Sequence, residues 1–225
     1  EEGERVLHFV RSILPPKTAE VSARLAAGKP AEMILSLAEE EHADMIVLGA
    51  RGLGPVKELL IGSVSHRILA HATCPTLIVN RALESLRHIL LPVQGPDDAA
   101  AAVKFLATKP FQRPGEITVL STEPFAQSPW LVGASIAESV TEQIRQSAQR
   151  FVEDTAARLT ALGYRAIPVV ASDAPGAAIL KQAEAANPDL ILMGSRRLEG
   201  VSRFLLGSVS HAVLNRAPCP VLIFR

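Results

Sequence analysis

The chain has 225 residues, 48% of them hydrophobic, with 23 basic side chains balanced by 23 acidic ones. Zero formal charge removes the electrostatic case for nucleic acid or an acidic membrane as partner, and no apolar run reaches the ~18 residues a membrane helix needs. The opening "EEGERVLHFV" is acidic and lacks the basic start of an export signal. Cys74 and Cys219 are too few for a disulfide framework or zinc cluster, and each "CP" pair is expected to bury a small hydrophobe in a reducing, cytoplasmic compartment.

In chain order, residues 1–14 are predicted as a helix, "AEVSARL" (19–25) as a strand and 31–41 as a helix. "DMIVLG" (44–49) follows as a strand, 62–72 as a helix and "PTLIVN" (75–80) as a strand. After a linker at 81–87, "HILLPV" (88–93) predicts a buried strand and "DDAAAAVKFLA" (97–107) a helix. "EITVLST" (116–122) is a strand, and a long helix begins at Gly133 or Ile136 and runs to Leu162, where Gly163 stops it. "YRAIPVVAS" (164–172) is a strand and "GAAILKQAEAA" (176–186) a helix. "DLILMG" (189–194), "GSVSHAVLNRA" (207–217) and "PVLIFR" (220–225) complete the pattern as strand, helix and strand.

The chain repeats itself. Gly62 recurs 145 positions on as Gly207, and the same offset carries Asp44 to Asp189, Gly49 to Gly194 and Cys74 to Cys219. Across 62–79, 11 of 18 residues are identical to those at 207–224 without a gap, which marks a duplication. A period this long is a domain rather than a solenoid unit. Residues 88–225 form a complete βαβαβαβαβ domain, whose apolar strands predict a doubly wound, five-stranded parallel sheet. Residues 1–80 are the C-terminal part of another such domain, without counterparts of the first two strands. A longer natural chain is expected.

Gly49 ends a buried parallel strand, where open α/β sheets bind ligands. Gly52 and Gly54 permit close backbone approach. Gly62-Ser63 opens a helix whose first N–H groups lack internal partners, so the loop can cradle an anion or simply cap the helix. Arg51 and Lys57 can face phosphate or solvent. The Walker pattern and a GxGxxG after the first strand are absent.

Gly49-x2-Gly52-x9-Gly62-Ser63 resembles the nucleotide-binding signature of the universal stress protein family. "HILLPVQGPDDAAAAVKFLA" and "SHAVLNRAPCPVLIFR" are similar to that family's first and last segments. The resemblance implies tandem adenine-nucleotide alpha-hydrolase-like domains of strand order 3-2-1-4-5. It also implies ATP or another adenine nucleotide as ligand, with or without magnesium, bound in the first copy by Gly49, Arg51, Gly52, Gly62, Ser63, Val64 and Ser65. The second copy keeps Gly194, Gly207 and Ser208. Gln94 there replaces the family's first-strand Asp, and Arg197 replaces the second glycine, which predicts a degenerate site that Arg197 occludes or converts to a fixed cation.

Other features read as structural. Adjacent Ser65-His66 and Ser210-His211 do not form a catalytic pair. Glu39 to Glu41 form a solvated helix end, and Trp130 packs at a seam. "PTLIVN" and "PVLIFR" are hydrophobic edge strands that need cover. Pairing of these edges, as in the family's dimers, predicts an internal pseudo-dimer, and the first half's lack of two strands leaves room for further self-association into a homodimer. Three functions are compatible with these residues: a non-enzymatic nucleotide-binding stress protein, a slow ATP hydrolase, and a ligand-free scaffold or regulatory domain.

Overall fold

The computed structural model describes residues 2–13, 20–50, 61–83, 85–111, 115–122, 134–194 and 207–224. The first copy supplies α1 (Glu2–Ile13), α2 (Pro30–Glu40), β1 (Ile46–Gly49), α3 (Ser63–His71) and β2 (Thr76–Val79). The second supplies β3 (His88–Pro92), α4 (Pro96–Ala107), β4 (Glu116–Thr122), α5 (Ala134–Ala161), β5 (Arg165–Ala171), α6 (Pro175–Ala186), β6 (Leu190–Gly194), α7 (Ser208–Arg216) and β7 (Val221–Phe224).

The strands form one seven-stranded sheet in the order β1-β2-β7-β6-β3-β4-β5. Within the second copy all neighbours are parallel, in that copy's own order 3-2-1-4-5. Successive side chains of its strands point to opposite faces. Ile89, Leu91 and Val93 pack beneath α4 and α5 with Leu106, Val152 and Leu159. Leu90 packs on the other face with Ile179, Val213 and Leu214 of α6 and α7. Burial on both faces explains the unbroken apolar runs of the sequence.

The two last strands of the copies, β2 and β7, run antiparallel and pair with each other. Thr76 lies opposite Ile223, Leu77 opposite Leu222 and Ile78 opposite Val221. Under the 145-residue offset Leu77 is the image of Leu222, so the pairing is self-complementary about a pseudo-twofold axis. His66 and its image His211 also meet on this axis, ring centroids 6.0 Å apart and edge to face. Leu69 and Ile78 join the core of Val213, Leu214 and Ile223, so apolar packing continues across the seam. Arg81, in the linker, donates to Pro188 O at 2.9 Å and to Asn187 Oδ1 at 3.3 Å, fastening the connection to the end of α6.

One expected strand does not form. Residues 20–27 carry no regular structure, although their image is β5. β5 exists because β4 pairs with it from Glu116↔Arg165 to Thr122↔Ala171. Among the described residues no strand pairs with 20–27 as β4 pairs with β5, and a segment without a ladder partner leaves its backbone groups to water. β1 is an edge among the described strands, because nothing stands beside it as β3 stands beside its image β6. Val47 is 59% exposed, while its image Leu192, flanked by β3 and β7, is fully buried. Asp189 also uses that neighbour: Oδ2 accepts from the N–H of Arg87 at 2.7 Å and of His88 at 2.9 Å.

Among the described residues no helix is long and apolar enough to cross a membrane. Cys219 is buried, and burial pushes its thiol up to about 11, partly opposed by the Arg81 charge. Cys74 is half-buried.

Candidate functional site

A cavity of about 250 Å³ opens at the carboxyl ends of β3, β4 and β6. It lies between β3 and β6, where the strand order reverses and open α/β sheets place their ligands. Val93, Leu120, Ile179 and Met193 give it apolar walls, and Gln94, Asp98, Thr122 and Ser208 bring polar groups to it. Gly194 forms one side, with Gly207 and Ser208 at the start of α7.

Local sequence accounts for each part. Gly194 ends β6 where a Cβ would strike Asp98 Oδ1, so the strand end and the carboxylate fit only because the side chain is missing. Asp98 stands in the first turn of α4, where acidic residues favour the helix dipole, and its Oδ2 accepts from the Gln94 N–H at 3.2 Å. Gly207 is the N-cap of α7 in extended conformation and makes no side-chain capping bond. The first N–H groups of α7 therefore have no cap from Gly207 and can meet an acceptor at the cavity.

The first copy repeats the frame. Gly62 caps α3 with backbone angles almost those of Gly207 and also without a side-chain bond. The Gly62 N–H donates to Ala50 O at 3.2 Å and closes the loop onto the end of β1. Ser63 is exposed at the helix start. Val64 leans into the small core of Ala31, Ile46, Ile68 and Ala72, which leaves its backbone as its contribution to any site. Ser65 is buried and its hydroxyl donates to Gly49 O at 3.2 Å, a tie between strand and helix rather than a group presented to solvent. Because β1 is an edge, no strand among the described residues stands on the side where β3 closes the second cavity.

Of the predicted residues, Gln94, Gly194, Gly207 and Ser208 come together at the second cavity. Gly49, Gly62 and Ser63 come together in the first frame. Arg51, Gly52, Lys57, Trp130 and Arg197 lie outside the described residues, as does Gly54. Asp98 is the cavity residue that reading the sequence missed. A carboxylate in the first turn after a first-strand "QGP" was the available signal.

The universal stress protein family model matches residues 5–80 and again 85–225. The chain belongs to the universal stress protein family. A universal stress protein of Bacillus subtilis is 38% identical over 79 residues, covering 35% of this chain and 53% of that one. A universal stress protein of Mycobacterium tuberculosis is 25% identical over 217 residues, covering 91% of this chain and 69% of the relative. The chain thus spans about half of the first relative and a larger share of the second. Among solved structures, a universal stress protein from Archaeoglobus fulgidus matches with TM-score 0.67 and 25% identity, over 100% of this chain and 76% of that one.

Proposed function

We propose that this universal stress protein is a non-enzymatic adenine-nucleotide-binding protein, whose ligand stabilises the bound conformation by mass action. The observation that carries the reading is the cavity of about 250 Å³ at the strand-order reversal, bounded by a glycine strand end and an uncapped Gly-Ser helix start. Its apolar walls suit a base, Gln94 and Asp98 suit base or ribose donors, and the α7 start suits an anion. The same Gly-Ser start in the first copy is the second phosphate frame of the reading. The Gln94 and Arg197 replacements make the second copy the weaker holder of phosphates. Magnesium, where present, would arrive on the phosphates of the nucleotide.

Calorimetric titration with ATP, AMP and adenosine tests this. Saturable binding is expected, lost from the first frame by Gly52→Arg and from the second cavity by Gly194→Val. Absence of saturable binding up to millimolar nucleotide sinks the proposal. ATP-dependent phosphate release that survives stringent purification and falls in Ser63→Ala would replace it with a hydrolase.

A further inference from the structure

The pseudo-twofold symmetry is broken at a seam residue beside the first glycine loop. Asn215, on α7 of the second copy, reaches across to the first copy, where its Oδ1 accepts from the Ile61 N–H at 3.0 Å. A backbone N–H can only donate, which fixes the amide orientation. The other end of the amide is held at home. Nδ2 donates to His211 O at 3.0 Å and lies 3.2 Å from His211 Nδ1. His211 in turn packs against His66 across the axis.

Ile61 directly precedes Gly62-Ser63. The exit of the first glycine loop is therefore pinned at two successive residues: Gly62 to Ala50 at the end of β1, and Ile61 to Asn215 of the other copy. The image of Asn215 in the first copy is Ala70, which has no hydrogen-bonding side chain. The reciprocal bond to the second loop cannot come from that position.

We propose that Asn215 is a positioning residue through which the second copy sets the glycine-loop exit of the first, so that anion affinity at Gly62-Ser63 depends on a side chain from the other half of the molecule. The affinity part rests on the nucleotide reading above; the positioning part does not. Position 70 offers no reciprocal latch, and Asn215 gives the second copy a role in the first copy's site whether or not its own cavity is filled.

Two measurements on the whole chain test it. Amide hydrogen exchange at Ile61, read by NMR, needs no ligand. Asn215→Ala is expected to accelerate it about three- to tenfold, the loss of one modest hydrogen bond, while Asn215→Asp, which keeps an acceptor oxygen, leaves it slow. Ala70 already occupies this helix position in the first copy, so alanine is compatible with the fold. ATP titration followed at the Gly62 and Ser63 amides then reports the first frame alone, and Asn215→Ala is expected to weaken it by a similar factor. Unchanged Ile61 exchange in Asn215→Ala overturns the positioning. Faster exchange with unchanged ATP response overturns the dependence of affinity on it. If the wild-type chain shows no ATP response, the nucleotide reading and the affinity dependence fall together, and Ile61 exchange still decides the latch.

Discussion

Leu77 and Leu222 face each other across the antiparallel seam, and each is the image of the other in the repeat. Their environments are not equal. Leu222 is 1% exposed and belongs to the main core, whereas Leu77 is only partly buried at its margin. The seam is symmetric in its pairing and asymmetric in its packing, because one side of the sheet continues for five strands and the other for two.

Truncating the two leucines should therefore cost different amounts. Leu222→Ala removes a fully packed side chain and is expected to lower stability by about 2–5 kcal/mol. Leu77→Ala should cost less than half of that. Urea unfolding of both variants gives the comparison, and equal losses would contradict the packing described.

Gly194→Ala separates the cavity from the fold. Its Cβ would meet Asp98 Oδ1, the movable end of a side chain, so stability should change by no more than about 1 kcal/mol. The displaced carboxylate would disturb its bond from the Gln94 N–H and crowd the cavity. Nucleotide titration should show weakened binding in Gly194→Ala, and Asp98→Ala, which removes a proposed nucleoside contact, should weaken it as well.

The two cysteines should differ in reactivity. Burial raises the Cys219 thiol from 9.0 to about 11, so at pH 8 it carries about a hundredfold less thiolate than an ordinary cysteine. Iodoacetamide should label Cys74 first, and mass spectrometry of timed samples will show the order. The same shift has a stability consequence. Below pH 9 both folded and unfolded thiols keep their proton and the contribution is constant; it is lost as pH rises from about 9 to 11, where only the unfolded thiol ionises. Cys219→Ala should flatten that part of the alkaline stability profile.

Tyr164 makes a buried hydrogen bond, its hydroxyl donating to Leu106 O at 2.9 Å, and burial raises its pKa. Tyr164→Phe leaves that carbonyl without this donor and is expected to cost about 1–2 kcal/mol, measured by urea unfolding.

The repeat made much of this architecture legible. Identity across Gly62–Val79 and Gly207–Phe224 fixed which strands and helices correspond, and the apolar runs of β3, β4 and β6 marked a sheet covered on both faces. Two things were not legible. Residues 20–25 have the composition of a strand, but a strand needs a ladder partner and composition does not report one. Asp98 and Asn215 act through neighbours far away in sequence, at Gly194 and Ile61; the "QGP" turn before Asp98 is a local signal for the first, and no motif flags the second. Asn215 leaves a trace only as a mismatch, Asn against Ala70, one of seven among the 18 aligned positions of the repeat.

The fastening of the linker by Arg81 has a kinetic meaning. A short connection held against α6 keeps β2 beside β7 at an effective concentration on the order of millimolar or above. A second molecule would have to outcompete that tethered partner to pair with either strand. The two hydrophobic strands that the sequence marks as needing cover thus cover each other within the chain, each supplying the backbone groups the other lacks.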